Sequence, residues 1–82
     1  SALMSGVSAE QATMRQANLT HIHGINGSFN RCDLTLADFT GANLAGADLS
    51  NADLTDADLT NANLEGANLA GADFTGATVA TG

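Results

Sequence analysis

From Ala37 to Thr81 the chain reads ADFTG, ANLAG, ADLSN, ADLTD, ADLTN, ANLEG, ANLAG, ADFTG, ATVAT, with Ala opening every block and Leu, Phe or Val standing third. A period of five fits neither a helix, which repeats near 3.6 residues, nor a flat strand, which repeats at 2. Carried backwards, the same frame gives CDLTL, GSFNR, IHGIN, ANLTH, ATMRQ, VSAEQ and ALMSG, so Ala2 to Thr81 divides into sixteen fives. Fidelity decays toward the N-terminus, but the phase never slips.

A short fixed period means that one structural step is repeated and stacked on copies of itself. The first and third residues of each block are the consistently apolar ones. Residues two apart on an extended segment point the same way, so both turn inward. Gly, Asn, Asp, Ser and Thr crowd the fourth and fifth positions, where their backbone preferences supply a corner. A narrow Ala beside a wide Leu or Phe suits a thin tube filled by side chains. This assigns the core stack to Leu34, Phe39, Leu44, Leu49, Leu54, Leu59, Leu64, Leu69 and Phe74.

These A-[DN]-L-x-x blocks resemble the pentapeptide-repeat family, closely over Ala37 to Thr81 and well over Ala12 to Thr20. The resemblance implies an all-β fold, a right-handed quadrilateral β-helix in which four fives make one coil of twenty residues. About four coils, stacked at the ordinary strand spacing of about 4.8 Å, would make a rod on the order of 20 Å long. The expected organisation is a repeat β-helix over residues 12–81 with an irregular block at 22–26. Residues 1–11 are either a degenerate repeat or an N-terminal cap.

The choice at 1–11 is open because Ser8 and Gln11 have capping-box spacing and SAEQATMRQ is rich in helix formers. A short helix from Ser8 to Arg15 would cover the exposed edge of a solenoid. In the block IHGIN, Gly24 takes the wide slot and Ile22 the narrow one. That is either a volume-conserving swap, with or without a local bulge at Gly24, or an excursion that offers Ile25 to a partner. Cys32 takes an Ala slot and reads as packing.

Composition narrows the partners. The 82 residues contain three Phe and no Trp, Tyr or Pro, so small side chains must build the core. Two Arg and no Lys against nine acidic residues give a net charge of −7, which disfavours direct contact with a nucleic-acid backbone or an anionic lipid surface. No apolar run approaches the roughly 18 residues of a membrane span. The single cysteine excludes a disulfide within the chain.

Catalytic chemistry finds little support. The hydroxyls of Thr35, Thr40, Ser50, Thr55, Thr60 and Thr75 recur at one block position, as turn chemistry predicts. Only His21 and His23 could act as a base near neutral pH; two apart on an extended segment, they would share a face, but a third metal ligand is not evident. Asp53, Asp56 and Asp58 lack the Gly and Glu of a calcium loop. No catalytic residue, metal site or cofactor is assigned.

The acidic pattern carries more. With a coil of twenty, Asp33, Asp53 and Asp73 stack in one outward column and Asp38 and Asp58 in the next, while Asn43 lies over Asn63 and Asp48 over Asn68. Like charges about 5 Å apart should repel and raise the carboxyl pKa values. The two Asp columns are the candidate partner-binding surface, and the alternative is that Asp and Asn serve only the turns.

What the family resemblance implies for function is a non-enzymatic structural or protein–protein interaction module with flat acidic faces, a small subunit of a thylakoid or other assembly. Its partner would be a protein with a basic or mixed surface, and bare coil ends could stack or dimerise. The resemblance also leaves a DNA mimic that binds DNA gyrase or another topoisomerase. A thylakoid-lumen, plastid or cyanobacterial location suits the first reading, and a cytoplasmic one is the alternative.

Overall fold

The computed structural model describes residues 13–24 and 26–79. Parallel bridges join residues twenty apart, all at the second block position: Thr13 to Asp33 to Asp53 to Asp73, and Asn18 to Asp38 to Asp58 to Thr78. His23, Asn43 and Asn63 form the third ladder, and Ser28, Asp48 and Asn68 the fourth. Four ladders at five-residue intervals make a quadrilateral β-helix, each side holding one block per coil. The Cα extents of 27 × 21 × 21 Å match a short rod of square section.

Block 52–56 shows where the backbone donors go. The N–H of Ala52 closes a turn onto the Leu49 carbonyl (3.1 Å), and that of Asp53 donates back to Cys32 in the preceding coil (2.9 Å). Leu54 and Asp56 donate forward to Asp73 and Thr75, each at 2.8 Å. Thr55 donates to the Oδ1 of Asp53 (3.1 Å). All five donors are satisfied, three of them between coils, which explains how a chain with so little regular strand holds together.

The corner depends on the fifth residue. Every described fifth position from Gln16 to Gly76 has positive φ, as in Asp56 (φ 59) and Gly71 (φ 71). A turn that closes from the third residue to the next first residue, with positive φ at its third member, has the type II requirement for Gly or Asn there. Leu36 breaks that preference at φ 63. It is also 46 % exposed, so burial compensates only part of the strain. Leu36→Asn is expected to stabilise the fold by about 1 kcal/mol, because Asn tolerates the left-handed region that costs Leu roughly that much. A Tm equal to or below wild type in thermal melts would contradict this.

Inside the tube, Leu34, Phe39, Leu44, Leu49 and Leu54 are fully buried, alternating with Cys32, Ala37, Ala42, Ala47 and Ala52. Leu59 is equally enclosed, whereas Leu64, Leu69 and Phe74 are half-buried against the same cluster, since no described coil lies beyond them. Burial also pushes the Cys32 thiol up to about 11, with neighbouring Asp33 adding to the effect. It stays protonated and unreactive within the stack.

The bulge at Gly24 is absent: His23 keeps its bridge to Asn43, and Gly24 donates to the Asn43 carbonyl at 2.8 Å. A side chain at Gly24 would meet Leu44 Cδ2 at 2.9 Å, with the Phe29 ring close behind, so neighbours fill the volume Leu would take. Buried Ile22 occupies the narrow slot, and Ile25 lies outside the described residues. A helix reaching Arg15 is not formed, because Thr13 pairs with Asp33 and Met14 donates to the Asp33 carbonyl (2.8 Å). Residues 1–11, with either reading of them, lie outside the described residues.

Candidate interaction faces

The second position is where architecture and chemistry meet. Its side chain points out of the tube yet bends along the chain, and its Oδ1 accepts the N–H of the fourth residue. Asn43 does this for Ala45 (3.2 Å), Asn63 for Glu65 (3.0 Å) and Asn68 for Ala70 (3.1 Å). This Asx turn explains why Asp or Asn recurs there: without it, one backbone donor per block has no protein acceptor. Asn43→Ala is expected to cost about 1 kcal/mol, the net worth of one such bond, and Asn43→Asp much less because the acceptor remains. Equal melting losses for both variants would show that the bond does not stabilise the corner.

Where the second residue is Asp, the fourth is a hydroxyl residue that donates to the same oxygen. Thr35 reaches Asp33 at 2.7 Å, and Thr40 reaches Asp38, Ser50 reaches Asp48, Thr55 reaches Asp53, Thr60 reaches Asp58 and Thr75 reaches Asp73, each at 2.6 Å. The amide of Asn18 receives Thr20 at 2.9 Å, the longer contact expected for a neutral acceptor. Asn30 extends one such set between coils by donating to Ser50 Oγ at 2.6 Å.

These bonds reverse the expectation of raised carboxyl values. Asp33, Asp48, Asp58 and Asp73 are held below the ordinary carboxylate range, first by the hydroxyl of the residue two ahead and then by its N–H. Desolvation opposes the shift and loses; Arg15 adds a small lowering at Asp33 and the Thr40 hydroxyl one at Asp58. Two donors aimed at the charged form outweigh the like-charge effect that column spacing alone suggests.

A carboxyl value lower in the folded chain than the roughly 3.9 of an unfolded Asp means fewer bound protons in the folded state between the two values. Stabilisation from these four groups is complete above about pH 4 and is lost as pH falls through the lowered values. Thermal melts should therefore hold steady from about pH 7 to pH 5 and decline below about pH 4. A Tm that rises on acidification would mean that repulsion along the columns dominates.

The ladders set the candidate residues in register: Asp33, Asp53 and Asp73 on one face, Asp38 and Asp58 on the next. Leu36 and Asp56 lie on the corner between these faces. The other two carry Asn43, Asn63 and Glu65, and Asp48 and Asn68. His21 and His23 are not on one extended segment, because His21 occupies a corner at φ 58 with its ring against Gly41. Among the described residues no group of three or more His, Cys, Asp or Glu side chains is placed to hold a metal ion. No helix among them is long and apolar enough to cross a membrane. The pairing of each second-position Asp with a hydroxyl two residues later was present in the sequence, as a co-occurrence that position-by-position reading passes over.

Comparison with known proteins agrees with this geometry. The family model for pentapeptide repeats matches in eight copies over residues 2–41, 25–56 and 52–79. Among solved structures, a pentapeptide repeat protein from the thylakoid lumen of Arabidopsis thaliana superposes with TM-score 0.92 at 36% identity, over 93% of this chain and 52% of its own. HetL, a pentapeptide repeat protein involved in heterocyst differentiation regulation in the cyanobacterium Nostoc, gives 0.87 at 38% identity, over 92% of this chain and 35% of its own. A pentapeptide repeat protein from the cyanobacterium Cyanothece gives 0.86 at 35% identity, over 87% of this chain and 48% of its own. The chain thus spans about half or less of these relatives. No curated protein matches it significantly in sequence. Coil of twenty, inward Leu, outward Asx turn and these matches agree on a right-handed quadrilateral β-helix, and the chain belongs to the pentapeptide-repeat family.

Proposed function

We propose that this chain is a non-enzymatic protein-interaction module that docks a basic protein surface on its two adjacent acidic faces. The observation that carries this reading is the registered set Asp33, Asp53, Asp73 and Asp38, Asp58, joined along a flat surface by parallel ladders. Side chains tied to the backbone lose little freedom on binding, which favours a rigid array over five mobile carboxylates. With no Trp and two Arg in the whole chain, the anchoring aromatic and guanidinium groups come mainly from the partner. A role as a subunit of a thylakoid or cyanobacterial assembly fits the sources of the similar structures and belongs to the same proposal.

Co-purification from the native cells, with a duplex-DNA wash, tests it. Proteins with basic surfaces retained through the wash are the expected result. A topoisomerase released by DNA would instead make the acidic faces a mimic of the duplex, and recovery of no specific protein would remove the docking role. Fractionation of the same cells tests the compartment: enrichment in thylakoid-lumen material is expected, and its absence there contradicts that placement.

A further inference from the structure

One dipeptide in the chain invites a reaction of its own. Asn26 closes the block IHGIN and Gly27 opens the next, and this is the only Asn–Gly pair in the sequence. With no Cβ on glycine, its main-chain nitrogen is open to attack the preceding side chain and close a five-membered ring. Asn26 is exposed, so water reaches its amide.

In the closed corner that nitrogen is engaged. Gly27 N–H donates to the Gly24 carbonyl (2.9 Å), a bond that favours the protonated, unreactive amide. The peptide units on either side are fixed as well: Asn26 N–H donates to Ala45 (3.0 Å), and the Gly27 carbonyl accepts Asp48 (2.8 Å). Asn26 itself sits at φ 57, with its Oδ1 where a Cβ on Gly46 would project. Ring closure therefore requires this corner to open. The wide slot just before it holds Gly24 instead of Leu or Phe, and Leu44 and Phe29 fill the space from other blocks. A segment with fewer apolar contacts of its own has a lower free energy of local opening.

We propose that Asn26 is a modification site, where the folded chain loses ammonia spontaneously at a rate set by opening of the corner from Gly24 to Gly27. The Gly27 nitrogen gives its proton to hydroxide and bonds to Asn26 Cγ; the Cγ–Nδ2 bond breaks, and Nδ2 leaves as ammonia with a proton from water. A second water then opens the cyclic imide. Cleavage at Cγ gives aspartate, and cleavage at the main-chain carbonyl gives isoaspartate. The fold separates these products. Asp56 already occupies such a corner at φ 59, with its Oδ1 over Gly76, so aspartate is accommodated. Isoaspartate adds a carbon to the main chain between the His23–Asn43 and Ser28–Asp48 bridges, which throws the ladders out of register.

Incubation of the whole chain in mildly alkaline buffer across a urea series tests this, with peptide mapping that separates asparagine, aspartate and isoaspartate. Asn26 should react before any other asparagine, at least about tenfold more slowly folded than unfolded, and faster as urea rises below the unfolding midpoint. Gly27→Ala restores the usual first residue of a block and should suppress conversion in both states with an unchanged circular-dichroism spectrum. Chains carrying isoaspartate should melt below wild type, and Asn26→Asp near it. Equal rates in folded and unfolded chains would overturn the proposal. So would an Asn26 that stays intact up to global unfolding, or another asparagine that reacts first in the folded chain.

Discussion

Leu54→Ala is expected to destabilise the fold by about 2–5 kcal/mol, the range for emptying a buried leucine site. Leu54 is wholly enclosed in the middle of the stack, with described coils above and below. Its backbone is fixed on both sides, since its N–H donates to Asp73 and its carbonyl accepts Ala57. The wall therefore cannot collapse freely into the void, which places the cost toward the upper part of the range. For a chain of this length total stability is on the order of 4–12 kcal/mol. Chemical denaturation should show the midpoint falling steeply; a midpoint shifted by less than a tenth of its value would mean that the third position does not carry the core.

Ala52→Leu is the converse test and should cost about 1–3 kcal/mol or more. The buried alanines Ala47, Ala52 and Ala57 line the narrow positions of the tube. Extra methylenes at Ala52 must push on a segment that donates to Leu49 and whose carbonyl accepts Asp73. Globular cores relieve overpacking by sliding a helix, but a coil bonded to neighbours on both sides has no such freedom. A variant as stable as wild type would show the bore to be wider than the Ala pattern implies.

The two substitutions test what was plainest in the sequence. The five-residue return of Leu and Phe, with Ala two residues before, exposed the inward positions because burial is what a periodic apolar pattern reports. The corner was less legible. Gln16, His21, Arg31 and Leu36 all adopt positive φ, yet none of these residue types advertises it; coil stacking imposes the conformation. Gly24 takes the wide slot while the ladder continues through His23, because Leu44 and Phe29 supply the missing volume.

Among the surface groups, the columns followed from the coil length, but the sign of the carboxyl shifts did not. Spacing between Asp33 and Asp53 invites an argument from repulsion, whereas the contacts that decide Asp33 run within its own block, from Thr35. A local hydrogen bond to a charged oxygen is stronger than screened repulsion at the surface. Seeing it requires knowing that the second side chain bends back along the chain. Leu64, Leu69 and Phe74 carry the same inward pattern as Leu54, and the pattern alone does not separate half-buried members from fully buried ones.

The claim that the acidic columns are a docking surface is tested most directly by the affinity of a co-purified partner for wild type and for Asp53→Asn with Asp58→Asn. Asparagine keeps the Oδ1 acceptor that Thr55 and Thr60 use, so the fold should be retained while two charges are removed. The account predicts a fall in affinity of about tenfold or more, with weaker salt dependence and a melting temperature near wild type. Unchanged affinity in a variant that melts like wild type would show that these carboxylates serve the turns alone.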